Sequence, residues 1–129
     1  MLITDVFKNF KDDDYEKFKA CLYDDAKGMM SLHEASYLGV EGEHLLYEAR
    51  AFTTTHLSAV KPNNIVEEEE VSHTLDLPRH HRMLRQEARW FIEAYNKRED
   101  VNHTLIELAT INFNTVQSAF QRDLQDLSR

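Results

Sequence analysis

Turn-forming residues are scarce in this chain, with three glycines and two prolines among 129 residues. That leaves little material for the tight connections of β-hairpins. No stretch alternates apolar and polar residues for long enough to read as a strand. Cysteine is nearly absent too: Cys21 stands alone, which excludes an internal disulfide and a CxxC metal site. The expectation for it is a small buried thiol in a reducing compartment. No apolar run approaches the roughly 18 residues of a membrane span, so none is expected. Basic residues are outnumbered, 15 against 23 acidic, giving a net charge of −8. The one basic concentration, Arg79 to Arg98, is diluted by Glu87 and Glu93. Phosphate-backbone binding needs clustered Lys and Arg, so no nucleic-acid partner is expected. The opening segment MLITDVFKNFKDDDYEKFK lacks an apolar signal core and is too acidic for a transit peptide. No targeting segment is read there, and Met1 precedes what reads as mid-domain sequence. The expectation is a chain cut at both ends and a cytoplasmic or plastid location.

What is present fits a globular domain. Hydrophobic residues make up 42% and charged residues 29% of the chain, and the length suits about one domain with a core. Helical spacing recurs throughout. A first helix is expected from Tyr15 or Phe18 to Leu38, with a break near Asp24 or Gly28 as the alternative. Leu22, Ala26, Met29, Met30, Leu32 and Ala35 form its apolar stripe. Gly39 and Gly42 bound its C-terminal turn. A second helix is expected over Glu43–Ala59, and Lys61-Pro62-Asn63-Asn64 ends it. A third follows over Val66–Leu75. The fourth spans His81–Tyr95, with Leu84, Ala88, Phe91, Ile92 and Tyr95 apolar. The last begins at Asn102, a suitable N-cap residue, and runs to Arg129. On it Phe113, Val116, Phe120, Leu124 and Leu127 fall at steps of 3, 4, 4 and 3, one continuous face. The fold class is therefore all-α, built of antiparallel helical hairpins with a long C-terminal helix.

Four segments, taken in order, resemble plant class I terpene synthases. They are FKACLYDDAKGMMSLHEASYLGVEGE (Phe18–Glu43), EARAFTTTHL (Glu48–Leu57), LDLPRHHRMLRQEARWFIEAY (Leu75–Tyr95) and LIELATINFNTVQSAFQRDLQDLSR (Leu105–Arg129). The resemblance implies an α/α-barrel-like N-terminal domain over residues 1–98, and the first helix of the catalytic domain over 99–129. It also implies a parent enzyme that ionises a prenyl diphosphate, geranyl or farnesyl diphosphate, with Mg²⁺ (or Mn²⁺). The family's aspartate-rich DDxxD motif, its second metal motif, its Arg-Asp-Arg segment and its tandem arginines match no residue here. No catalytic, cofactor-binding or metal residue is therefore assigned, and the chain is expected to be inactive alone. The partner so implied is the remainder of the catalytic domain; the prenyl diphosphate would be a substrate of the parent only. The chain departs from the family pattern at His33, His81, Leu84, Gln86 and Asn112, and over KDDDYEKFK. These departures fit a diverged or decaying gene copy and leave the fold expectation unchanged. A second reading, from a different class, is a non-catalytic helical interaction module using the Phe113–Leu127 face.

Other patterns invite chemistry and are read as structure. Asp12-Asp13-Asp14-Tyr15-Glu16 contains DDxxE, but no second carboxylate group adjoins it to complete six oxygen ligands. Asp24-Asp25 reads as an exposed helix face, and Glu67–Glu70 as a solvent-facing like-charge run. His33-Glu34 begins an HExxH, but Tyr37 stands where the second histidine is needed. His73, His80 and His81 cluster in sequence, with His80 and His81 expected on different helix faces. Arg82, Arg85 and Arg89 form one basic edge, expected to pair with Glu87, Glu93 or an adjoining domain. Trp90 is expected in the inter-helix core.

Overall fold

The computed structural model describes residues 3–12 and 17–129, with the side chains of Ile3 and Thr4 excepted. Among the described residues six α-helices follow in order: α1 (Ile3–Lys8), α2 (Ala26–Ser36), α3 (His44–Ala59), α4 (Ile65–Asp76), α5 (Leu84–Asn96) and α6 (His103–Leu127). Two 3-10 turns, Ala20–Asp24 and Arg79–His81, punctuate them. There is no strand among the described residues; a lone antiparallel bridge joins Lys11 and Phe18. The chain is all-α, as expected. It packs as two compact units, Met1–His81 and Arg82–Arg129.

In the first unit the core is made by the α2–α3 hairpin. Met29, Leu32, Leu46, Ala49 and Leu57 are buried there, with Phe7, Phe18, Leu22 and Val71 around them. Met30, Ala35, Leu45 and Phe52 pack against this cluster. Most of the expected stripe of the first helix thus reaches the core, together with the apolar residues of α3, because residues three and four apart share a helix face. Short α1 was not expected; it contributes Phe7, 3% exposed, from a segment too short to show a period.

The expected first helix is divided. Its Tyr15 start lies outside the described residues, and Phe18 is not helical but stacks on Phe52 at 4.4 Å. The break near Asp24 is real, and it corrects the helix-face reading of Asp24-Asp25. Asp24 closes the 3-10 turn, and Asp25 is the N-cap of α2, accepting from the Gly28 amide at 2.9 Å. This cap explains Gly28. A Cβ there would lie 2.2 Å from an Asp25 carboxylate oxygen. Gly28→Ala should therefore fail to give the roughly 1 kcal/mol that alanine normally gains over glycine inside a helix. Displacing the cap costs about 1 kcal/mol, so urea denaturation should show no net stabilisation; a clear rise in midpoint would contradict the cap.

Helix α2 ends at Ser36 with Tyr37 as C-cap, one turn before the glycines. Gly42 supplies the positive φ of +96° in the connection. Gly39 serves close approach instead: a Cβ there would meet the Leu46 side chain at 2.9 Å. Helix α3 starts at His44, and Lys61-Pro62-Asn63-Asn64 does end it. Asn64 is the N-cap of α4, its side chain accepting from the Glu67 amide at 2.8 Å, while the Glu67 carboxylate accepts from the Asn63 amide at 2.6 Å. The second bond goes to the residue before the cap, so it extends the cap into the preceding turn.

In the second unit, α5 begins at Leu84, three residues later than expected, after Met83 in extended conformation. His81 belongs to the preceding 3-10 turn. Leu84 is 85% exposed and outside any core, whereas Glu87 and Ala94 are buried. Helix α6 carries Asn102 as its N-cap, accepting from the Leu105 amide at 3.1 Å, as expected. The Asn102 amide in turn donates to the Tyr95 hydroxyl at 3.0 Å, tying the α5–α6 connection. Trp90 is half-buried, packed edge-on against Phe91 with ring centroids 5.2 Å apart.

Candidate functional site

Two polar clusters are built into these units. The first lies between α2 and α3. His33, 1% exposed, faces Thr53, which is fully buried. Thr53 Oγ1 lies 2.8 Å from the Ala49 carbonyl and 3.1 Å from that of Arg50. A hydroxyl has one proton and carbonyls only accept, so Thr53 donates backward along its own helix. The 2.9 Å contact with His33 Nδ1 is then an Nδ1–H donated to Thr53 Oγ1. That assignment leaves His33 Nε2 as a bare acceptor, buried and without a hydrogen-bond partner. Burial holds the ring's pKa below its ordinary 6.5; the Glu34 carboxylate pushes it up, and the Arg50 guanidinium pushes it down.

Arg50 is fixed beside this pair. It donates to the Ser36 carbonyl at 3.1 Å and lies over the Tyr37 ring at 4.0 Å. Tyr37 packs edge-on to His33 at 5.2 Å and contacts His80 at 6.3 Å. Glu34 accepts from the Arg79 amide at 2.7 Å, which secures the Arg79–His81 turn on the end of α2. His33-Glu34 is therefore not a failed zinc motif exposed to solvent. It is an inter-helix joint. Sequence reasoning missed it because its partners lie 20 and 45 residues away.

The second cluster is the arginine edge of α5, and each arginine does something different. Arg82 pairs with Glu87 at 2.7 Å in a site where the side chains are 7% and 10% exposed. Arg89 pairs with Glu93 at 3.0 Å, exposed, a contact expected to contribute little. Arg85 forms no ion pair with a carboxylate among the described residues. It donates to the Phe113 carbonyl at 2.9 Å and to Gln117 Oε1 at 3.1 Å, and its guanidinium lies 4.1 Å from the Phe113 ring centroid. Helix α5 is thereby clamped to α6 by hydrogen bonds and a cation–π contact. An open cavity of about 470 Å³ beside the clamp is lined by Arg85, Arg89, Ile92, Thr110, Phe113 and Gln117, among others.

The continuous face of α6 is half-buried at Phe113 and Val116 and then emerges. Phe120 is 47% exposed, Leu124 67% and Leu127 84%. Leu105, Leu108 and Ile111 are exposed as well, so the first half of α6 carries apolar side chains beyond one face. Helices of that kind bury more than one side in larger assemblies.

The remaining readings divide. Cys21 is exposed, correcting the buried-thiol expectation; its neighbour Leu22 takes the inward position. Glu67, Glu69 and Glu70 are half-buried and Glu68 is exposed, which corrects the solvent-facing reading of the run; Glu67 is engaged in the α4 cap. His80 and His81 share a 3-10 turn with ring centroids 4.2 Å apart, so they adjoin rather than diverge. Of the DDxxE pattern, Asp13 to Glu16 lie outside the described residues. Among the described residues, no three His, Cys, Asp or Glu side chains come close enough to hold a metal ion. These described residues therefore do not fit a magnesium site. No helix among them is long and apolar enough to cross a membrane.

The pattern of a family described as the terpene synthase N-terminal domain matches residues 2–75. A chloroplastic tricyclene synthase of Medicago truncatula is 48% identical over 126 residues, 97% of this chain and 22% of that protein. The (−)-α-terpineol synthase of Vitis vinifera is 51% identical over 96% of this chain and 21% of its own length. Isoprene synthase from grey poplar, Populus x canescens, superposes with a TM-score of 0.88 at 44% identity, over 100% of this chain and 24% of that one. The same enzyme has been solved with three Mg²⁺ ions and dimethylallyl-S-thiolodiphosphate. The chain thus spans about a fifth of the length of the curated relatives it matches.

Proposed function

The chain belongs to the plant terpene synthase family, matched through the N-terminal domain, and on that premise we propose that it is a helical scaffold segment of an enzyme acting on a prenyl diphosphate. The parent reaction would convert geranyl or farnesyl diphosphate to a cyclic or acyclic terpene, with Mg²⁺ (or Mn²⁺) neutralising the diphosphate leaving group. The scaffold's own part is to present the arginine-clamped α5–α6 hairpin to the remainder of the catalytic domain.

The observation that carries this reading is the match of the whole chain to a quarter of an isoprene synthase solved with Mg²⁺ and a diphosphate analogue. By sequence pattern, residues 1–98 are assigned to the N-terminal-type domain and 99–129 to the start of the catalytic domain. Helices α5 and α6 pack on one another across that division, so the packing boundary at Arg82 and the pattern boundary describe different things. A plastid location is favoured over the cytoplasm by relatives described as chloroplastic.

Purified chain supplied with Mg²⁺ and geranyl, farnesyl or geranylgeranyl diphosphate is expected to give no terpene by gas chromatography; detectable product would sink the scaffold reading. The exposed apolar residues of α6 favour one other reading, a stand-alone helical interaction module. Light scattering separates the two. A defined oligomer, or a stoichiometric complex with a full-length synthase, supports the module, and a loose or aggregating species supports the scaffold.

A further inference from the structure

We propose that the His33–Thr53 contact is an acid-released latch between α2 and α3. The geometry is that of a joint with one free valence. Thr53 spends its one proton on its own helix and accepts from His33 Nδ1–H. His33 Nε2 is sealed in the same interface with no acceptor opposite it. While the ring is neutral, Nε2 is a bare lone pair, and the α2–α3 core closes over it. A proton there would add a donor with nothing to receive it, and a positive charge in a buried place.

The charged and titratable surroundings set the direction. On the ring's own helix Glu34 favours protonation and Tyr37 packs edge-on to the ring. From α3, Arg50 opposes protonation, and it is not free to swing away, being held by the Ser36 carbonyl and the Tyr37 ring. The Arg79–His81 turn brings Arg79, whose amide holds Glu34, and His80 against Tyr37. Helix α4, also packed on α2, carries Glu70 and His73 beside its buried Val71 and Thr74. Glu34 cannot fully offset the charge, because burial is the largest influence on the ring and it disfavours the cation.

The folded state thus prefers the neutral ring more than the unfolded chain does. Its contribution is complete above the ordinary histidine value of 6.5 and is lost as pH falls below it. The same turn of α2 secures the Arg79–His81 segment through Glu34 and Tyr37, so release at His33 would loosen both attachments.

The test is urea unfolding of the full chain from pH 8 to pH 5, comparing wild type with His33→Phe and His33→Gln. Neither variant titrates at this position, and Thr53 keeps its bond to Ala49 in both. The wild-type folding constant, divided by that of either variant, should be level above about pH 7 and fall below it. One proton limits that fall to about tenfold per pH unit. Parallel profiles would overturn the latch. Should both variants fail to fold, nitrogen NMR of the wild-type ring decides. An Nδ1–H tautomer at pH 7 that protonates only at lower pH than free histidine supports the latch, whereas an Nε2–H tautomer or an ordinary titration overturns it.

Discussion

Glu87→Ala is expected to destabilise the second unit by about 3–5 kcal/mol, the range seen when one member of a buried ion pair is removed. The reason is the residue left behind. Arg82 lies 2.7 Å from the Glu87 carboxylate and its side chain is 7% exposed, so the truncation takes a close carboxylate away from a desolvated guanidinium. The penalty comes from the lost compensation of a buried charge rather than from any great net value of the pair. Replacing both residues together, Arg82→Met with Glu87→Leu, should therefore return stability to within about 1–2 kcal/mol of wild type. Trp90 is the chain's one tryptophan and sits on α5, so its fluorescence during urea unfolding reads this unit. A single-variant loss under about 1 kcal/mol, as at exposed pairs such as Arg89–Glu93, would show that the Arg82–Glu87 pair is solvated.

The second large effect belongs to the first unit. Leu46→Ala should cost about 2–5 kcal/mol, combining lost transfer energy with the cavity it leaves. Leu46 is 1% exposed at the start of α3, and its side chain fills the space against which Gly39 approaches. The connection there is held by Gly42 at positive φ and by the Val40 amide bound to Glu43, so the backbone has little freedom to collapse into the void. Leu45→Ala, one position away and half-buried, is the control and should cost distinctly less. Far-UV circular dichroism follows both; equal losses at the two positions would mean that the hairpin is not packed as described.

Much of the architecture was legible because a helix repeats its face every three or four residues. The apolar spacing placed α3 and α4 to within a residue or two, and Asn102 marked the start of α6. Signals of this kind are local, and they fail where no periodic run exists. Helix α1 is six residues long and contributes a single buried phenylalanine. At the other failure, the run His81 to Tyr95 was one helix by period, yet its first turn is a 3-10 element followed by an extended Met83. Leu84 is apolar and in phase with Ala88, Phe91 and Ile92. It is exposed because phase is set by what the helix packs on, and α5 turns Glu87 and Ala94 inward instead.

The polar groups show the same limit more sharply. Arg82, Arg85 and Arg89 are one edge in sequence and three different environments in the fold: a buried ion pair, a clamp on a helix carbonyl and aromatic ring, and a solvent-exposed pair. Spacing placed them on one face, but only tertiary packing decided which of them lost water, and of the three it is Arg85 that α6 engages. His33 likewise carried no mark of its role, since Thr53 reaches it only when α2 and α3 close.

By itself, then, the amino-acid order determined an all-α chain, its main breaks, the Asn102 cap and its family, because these rest on contacts within a few residues and on the order of whole segments. The tertiary structure alone decided which polar side chains are buried, which histidine nitrogen is bare, and which apolar residues of α6 stay exposed. Those outcomes depend on desolvation, and desolvation is a property of what lies opposite a side chain in space, not beside it in the chain.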